Sequence, residues 1–261
     1  MAETQSKQLG LFLRSRREKL SPNTVGLVSG QRRRALGLRR EEVAELAGIG
    51  VDWYVRLEQG RSVRPSATTL DALARALRLN KTEQAHLNAL TRTAVNGAFA
   101  KENVPLTLQR LVESLNQPAY ITGRRWDVLA WNKSAADIFG FDRVPEADRN
   151  ILVMMLTKAG PRKLLGDQWS VEARRMVAQF RPTHDLWADD PAFEELLARL
   201  RAGCPEFLAW WKSHDIRVPT AGRKKLRHPK KGAMLFEYAT FQANDDPALK
   251  LAIYSPLREG D

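Results

Sequence analysis

The sequence predicts two fold classes in series. An all-α part spans residues 6–95, and past a linker at 96–105 an α+β part spans 106–258, an antiparallel sheet with helices. Three observations carry this. Through the first part apolar residues recur at helical spacing. In the second part short β-branched and aromatic runs stand on either side of helical segments. The charge is also uneven: residues 1–100 hold 17 Lys and Arg against 9 Asp and Glu, whereas the rest holds 25 against 21, within a net charge of +12. A merely soluble basic chain has no reason for that asymmetry, and a polyanion partner supplies one.

In the first part, Leu9, Phe12, Leu13 and Leu20 mark a first helix. Two short helices follow at about 39–47 and 51–59. Ser66 is a good N-cap for a helix carrying Leu70, Leu73, Ala74 and Leu77 on one stripe, and a fifth helix is expected at about 81–94. In the second part, TLQRLVESL reads as a helix, and AYITG with WDVLAWN as a hairpin. KSAADIFG, RNILVMMLTKA, DQWSVEARRMVAQFRP and PAFEELLARLRAG read as helices. GAMLFEYATFQAN (232–244) and ALKLAIYSPL (248–257) read as strands joined by the turn-prone Asn244 to Pro247. The charge run GRKKLRHPKKG (222–232) reads as a lysine-protected strand edge. Strands flanking helices imply an α+β domain.

The stretch LRREEVAELAGIGVDWYVRLEQG (38–60) defines the first part. Val43, Leu46 and Ala47 face inward from its first helix, and Tyr54 and Leu57 with Ile49 from its second. Gly48 suits the left-handed residue that closes a helix. Two short helices crossing at so tight a joint form a helix-turn-helix, which lays the second helix in the DNA major groove. Val51, Asp52, Trp53, Val55 and Arg56 are then exposed. Asp52 can accept from a cytosine amine or, more plainly, complement the helix N-terminus. Trp53 is either half-buried or a base or sugar contact. Arg39, Arg40, Arg61 and Arg64, with Arg33 and Arg34 of the preceding basic cluster, are candidates for phosphate contacts.

The pattern LRREEVAELAGI-VDWYVRLEQGR-PS-LDALARAL resembles the Cro and lambda-repressor type of helix-turn-helix domain, the xenobiotic-response-element family. The basic insert before it, then RRWDVLAWN, RNIL, CPEF, the Trp211 to Asp215 segment, Arg227 to Pro229 and FEY resemble the MmyB-like transcription regulators. The resemblance runs from about residue 9 to 256. It implies a C-terminal PAS-like domain with a ligand-sized cavity for an apolar molecule such as a fatty acid. Gly50 and Val55 depart from the family pattern, where Ser and Thr are usual, so the operator is expected to differ.

Within a PAS-like domain, apolar cavities carry a few polar anchors. The candidate ligand residues are Trp126, Trp131, Asn132, Arg149, Asn150, His184, Trp211, His214 and Tyr238, with His228 a further polar candidate. Asn132 more plainly caps the helix at 133. Arg149 can grip a carboxylate bidentately or pair with a surface acid. His214 and Asp215 can be an ordinary hydrogen-bonded pair. No required cofactor and no metal are expected, since four scattered histidines give no zinc spacing. Nor is an enzyme: Cys204 lacks an activating motif, and G-x-S-x-G, P-loop and H-E-x-x-H are missing. The single cysteine suits a reducing cytoplasm. No apolar run approaches the ~18 residues of a membrane span. The expectation is therefore a cytoplasmic, nucleoid-associated bacterial regulator, a repressor acting as a homodimer on a near-palindromic double-stranded operator. The alternative is a C-terminal domain that serves dimerisation or a protein partner without a small ligand.

Overall fold

The computed structural model describes residues 2–27, 37–61, 64–92 and 98–257. Arg33 and Arg34 lie outside them. The chain divides into two compact units. The first comprises residues 1–97 with two later segments, 184–190 and 212–216; the second comprises the remainder.

Unit 1 holds α1 (Ala2–Lys19), α2 (Arg40–Ala47), α3 (Val51–Glu58), α4 (Ala67–Ala76) and α5 (Lys81–Thr91). The apolar stripes turn inward to bury Leu9, Phe12 and Leu13 with Val43, Ala44, Tyr54, Leu57, Leu73 and Leu87. Leu46 departs from the sequence expectation and is 39% exposed. The buried stripe of α2 runs through Val43, Ala44 and Ala47, which leaves Leu46 on its flank. Gly48 takes φ 65°, and Ile49 N–H donates to Ala44 O at 2.9 Å, so the chain leaves α2 through a left-handed turn. At Gly10 a Cβ would stand 2.4 Å from Glu58 O, so α1 meets the end of α3 backbone to backbone. Ser66 accepts from Thr69 N–H at the head of α4, and Asn80 and Glu83 cap α5 reciprocally.

Unit 2 begins with α6 (Leu106–Ser114), then β1 (Ala119–Thr122) and β2 (Val128–Trp131). Helices α7 (Lys133–Phe139), α8 (Ile151–Thr157), α9 (Ala159–Leu165), α10 (Trp169–Leu186), α11 (Pro191–Gly203) and α12 (Phe207–Lys212) follow, although the last residues of α10 and α12 fall in unit 1. Strands β3 (Gly222–His228), β4 (Gly232–Gln242) and β5 (Lys250–Pro256) close the fold. The sheet order is β2-β1-β5-β4-β3, with every neighbour antiparallel. This is the α+β class that the sequence predicts. The basic run at 222–228 is an edge strand, as its lysines suggest.

Two short helices, α9 and α12, were not expected. In α9 Pro161 sits in the first turn, where its missing N–H costs nothing. The helix expected to stop near Pro182 runs on to Leu186. One face of the sheet packs Ala119 and Ile121 under Val112 of α6. Tyr120, Tyr238, Tyr254, Phe236 and Leu226 are buried on the other. Tyr238 and Tyr254 face each other across β4 and β5 and stack with centroids 5.6 Å apart.

Candidate DNA-reading face and ligand cavity

The first site is the outer face of α3. Tyr54 and Leu57 are 0% and 1% exposed, which pins the helix by one side. The opposite side presents Val51, Asp52 and Arg56 to solvent, with Trp53 and Val55 half-buried between. The Gly50 N-cap offers no side-chain acceptor, so Asp52 supplies the only acidic charge in the first turn. Arg39, Arg61 and Arg64 are exposed, and Arg39 N–H donates to Glu42 Oε2 at 2.6 Å.

Arg40 is placed differently. Its Nε donates to Glu58 Oε1 at 2.8 Å, while its side chain keeps 40% exposure. Glu58 is the hub of unit 1, with a side chain only 1% exposed. Arg17 grips it in a fork, Nε to Oε2 at 2.7 Å and Nη2 to Oε1 at 2.8 Å, and donates from Nη1 to Leu38 O at 2.9 Å. Burial alone would push the Glu58 carboxyl up. The hydrogen bonds from Arg17 and Arg40 outweigh it and hold the group below its ordinary range. The same burial drives the neighbouring Tyr54 hydroxyl well above its usual value. This cluster ties α1, α2 and α3 together, so the angle between the two short helices is fixed by charge as well as by packing. The sequence reading passed over it, although Tyr54, Leu57 and Glu58 share one inward stripe.

The second site is a cavity of about 540 Å³ in unit 2. Its wall is mostly apolar: Phe139, Phe141, Ile151, Met154, Met176 and Leu226 among others. Exposed Arg143, Lys163 and Arg227 also border it. A smaller chamber of about 90 Å³ shares Tyr120, Ile151, Met176, Lys224 and Tyr254 with it, and adds apolar Trp126, Pro219 and Ala252 beside polar Arg175, Gln179 and Lys250. Tyr120 and Tyr254 pair hydroxyl to hydroxyl at 3.3 Å. Burial pushes both phenols up, Tyr254 to about 12 and Tyr120 well beyond the usual value. Both stay neutral near neutral pH and can serve as hydrogen-bond partners. A recess of about 580 Å³ in unit 1, bordered by Leu46, Asp71, Arg75 and Gln84, has no aromatic wall and is less suited to an apolar guest.

Of the sequence candidates, Trp126 and Tyr238 line the small chamber. Trp126 adopts φ 68°, a left-handed conformation rare for a bulky residue, and packs edge-on against Phe180. Trp131 and Arg149 lie elsewhere, at a recess with Lys101 and Glu146, where the Arg149 guanidinium sits 4.7 Å over the indole and donates to Phe141 O and Val144 O. Asn132 caps α7, its Oδ1 accepting from Ala135 N–H and Ala119 N–H while its amide donates to Leu115 O and Gln117 O. Asn150 caps α8 and donates to Asp127 and Arg125 O. Both amides are therefore spent within the fold, that of Asn132 wholly on backbone and that of Asn150 on backbone and Asp127. His184 lies in unit 1, its Nδ1 3.3 Å from Asp185 Oδ1, and His214 lies there too. Trp211 stacks on Phe207 with Arg181 3.7 Å above its ring. His228 borders the large cavity. Arg175, Lys224 and Lys250, which the sequence reading did not select, border the small chamber. Alternation could have found two of them, since Lys224 shares a strand face with Leu226, and Lys250 with Ala252 and Tyr254.

Cys204 is buried. Burial first, then Glu206, raises its thiol, the reverse of what a nucleophile needs. Among the described residues no helix is long and apolar enough to cross a membrane, and no cluster of His, Cys, Asp or Glu is placed to hold a metal ion.

A helix-turn-helix unit joined to a sheet domain with an apolar cavity is the build of a DNA-binding regulator with a ligand-binding domain. Residues 104–261 match the family model of the MmyB-like transcription regulator ligand binding domain, and residues 8–87 match that of a helix-turn-helix domain. The chain belongs to the MmyB-like transcription regulators. A comparison with curated proteins returns no match.

Proposed function

We propose that this protein is a homodimeric bacterial repressor of the cytoplasm whose operator affinity is set by a small apolar molecule, such as a fatty acid, held in the 540 Å³ cavity. The observation that carries the reading is α3 itself. It is pinned by Tyr54 and Leu57 and offers one short exposed row, Val51, Asp52 and Arg56. A row that short contacts few base pairs, and two copies on adjacent half-sites about one helical turn apart supply the missing specificity. Arg39, Arg61 and Arg64 serve the phosphates. Arg40 contributes less, because Glu58 already holds its Nε. Ligand acts on DNA only through a difference in affinity for two states of the protein.

The test is in vitro selection of an operator, followed by a band-shift titration for stoichiometry. Two chains per operator at saturation are expected, and one chain per operator overturns the dimer. On that operator Arg56→Ala should cost about 1–3 kcal/mol and relax sequence preference at one position, whereas Arg39→Ala should weaken all DNA alike and flatten the salt slope by about one unit. If Arg56→Ala leaves selection unchanged, α3 is not the reading element.

A further inference from the structure

The hairpin of β3 and β4 carries the densest run of cations in unit 2: Arg223, Lys224, Lys225, Arg227, Lys230 and Lys231 fall within nine residues. Lys224 turns to the covered face of the sheet and meets Glu172 at 3.5 Å. The other five are exposed. Glu237 stands across from Arg223, but only Leu235 and Ala233 stand across from Lys225 and Arg227. Among the described residues Lys225, Arg227, Lys230 and Lys231 make no ion pair. Other surface cations of unit 2 do find acids: Lys101 meets Glu146 at 2.7 Å, Lys158 meets Asp148 at 2.6 Å, and Arg162 meets Glu206 at 3.2 Å.

The ridge is also held in shape. His228 ends β3, and its Nδ1 accepts from the backbone N–H of Lys230 at 3.2 Å and of Lys231 at 3.1 Å. A ring nitrogen that accepts carries no proton, so Nε2 bears it and donates to Asp137 O at 3.1 Å. Gly232 follows at φ 74°, a left-handed position that reverses the chain. Lys230 and Lys231 therefore stand on fixed backbone. An edge guard explains only part of this pattern. A guard needs charge on the strand itself, whereas Lys230 and Lys231 lie past the end of β3. Unpaired like charges so close repel one another, and a partner with repeated negative charge relieves the repulsion.

We propose that this ridge is a second DNA contact: Lys225, Lys230 and Lys231 grip backbone phosphates flanking the operator and add affinity without reading sequence. This rests on the operator-binding function proposed above and extends it beyond α3. Covalent linkage to a helix-turn-helix unit brings DNA to unit 2 at high effective concentration. A lipid surface is the other polyanion, but basic residues hold membranes best beside large apolar side chains that insert. The residues exposed among these lysines, Pro229, Gly232 and Ala233, include none. Arg227 belongs to the same row but also borders the apolar cavity, so the lysines carry the test.

The experiment is a fluorescence-anisotropy titration of the full-length protein against two duplexes, across about 0.05–0.3 M salt. One is the selected operator, about 20 base pairs; the other adds about 10 base pairs of arbitrary sequence on each side. Wild type should bind the long duplex tighter, with a salt slope steeper by at least about two units. Lys225→Gln, Lys230→Gln, Lys231→Gln should lose that extra slope, at about 0.9 units per phosphate contact given up, and weaken the long duplex by about tenfold. It should leave the short duplex within about twofold, which also shows that the variant is folded. Lys230→Gln, Lys231→Gln leaves the edge strand guarded and should remove more than about half of the extra slope, so the test survives if loss of Lys225 causes aggregation. A wild-type slope in the triple variant, an equal loss on both duplexes, or wild type binding both duplexes alike would each overturn the flanking contact. So would loss of binding to phosphatidylglycerol vesicles with an unchanged long-duplex slope, which would assign the lysines to a lipid surface. Failure of wild type to bind either duplex would instead remove the operator-binding reading, and the flanking contact with it.

Discussion

Each unit carries a cluster of charge among buried groups, and the two are balanced differently. In unit 1 the Glu58 carboxylate receives Arg17 in a two-bond fork and Arg40 at a third contact, so both its oxygens are engaged. In unit 2 Glu172 is outnumbered by Arg175, Lys224 and Lys250, and the last has no partner among the described residues. A closed cluster fixes geometry, because any motion of α1, α2 or α3 breaks a charge-assisted bond. An open cluster has affinity to spare for something outside the chain. The difference separates a carboxylate spent on holding three helices together from a carboxylate outnumbered by cations, and three perturbations probe it.

The largest expected effect comes from opening the closed cluster. Glu58→Ala leaves the Arg17 guanidinium buried without its acid, which should cost about 3–5 kcal/mol in urea denaturation followed by far-ultraviolet circular dichroism. A loss below about 1 kcal/mol would show that the cluster is incidental to the fold. The pH dependence follows from the same group. The folded state holds the Glu58 pKa below its unfolded value, so in acid the unfolded chain takes the proton more readily. The stabilisation is complete above the unfolded value, about 4.3, and drains away as pH falls through the folded one. The gap between wild type and Glu58→Gln should therefore be widest near neutrality and narrow steadily below about pH 4. A gap that stays constant from pH 7 down to about 3 would remove Glu58 as its source.

A smaller effect is expected from Glu172→Gln. It unbalances the open cluster further, but Glu172 keeps 18% side-chain exposure and water shares the cost. The expected loss is about 1–2 kcal/mol in the protein without ligand. Urea denaturation checks it, and an unchanged stability would mean that water already answers Arg175 and Lys224.

The legible and illegible parts of this molecule divide along the same line. Periodicity and capping carry local information. Ser66, Gly48, and the hairpin at 119–131 announce themselves in the sequence, and so does the helix-turn-helix, although spacing puts Val55 on its exposed face with Val51, Asp52 and Arg56 and the fold leaves Val55, like Trp53, half-buried. The edge strand at 222–228 was legible from its lysines. Long-range pairings were not. Arg17 and Glu58 stand 41 residues apart, and Lys224 and Glu172 meet only once β3 has returned beside α10. The aromatic and polar candidates of the second domain looked alike in sequence. What separates them is whether a side chain caps a helix, as Asn132 and Asn150 do, or lines a cavity, as Tyr238 does.

The smallest expected effect has the opposite sign, and it separates the two clusters most sharply. Removing a charged member of the closed cluster destabilises. Removing Lys250 from the open one should not. Lys250→Met deletes a half-buried ammonium whose pKa burial lowers and places an apolar chain of similar length beside Ala252 and Tyr254. The protein should melt at an equal or higher temperature, a gain of about 0–1 kcal/mol. Thermal melts of both proteins check this directly. If Lys250→Met is less stable without ligand, Lys250 is structural, and the open cluster is closed by a contact within the fold.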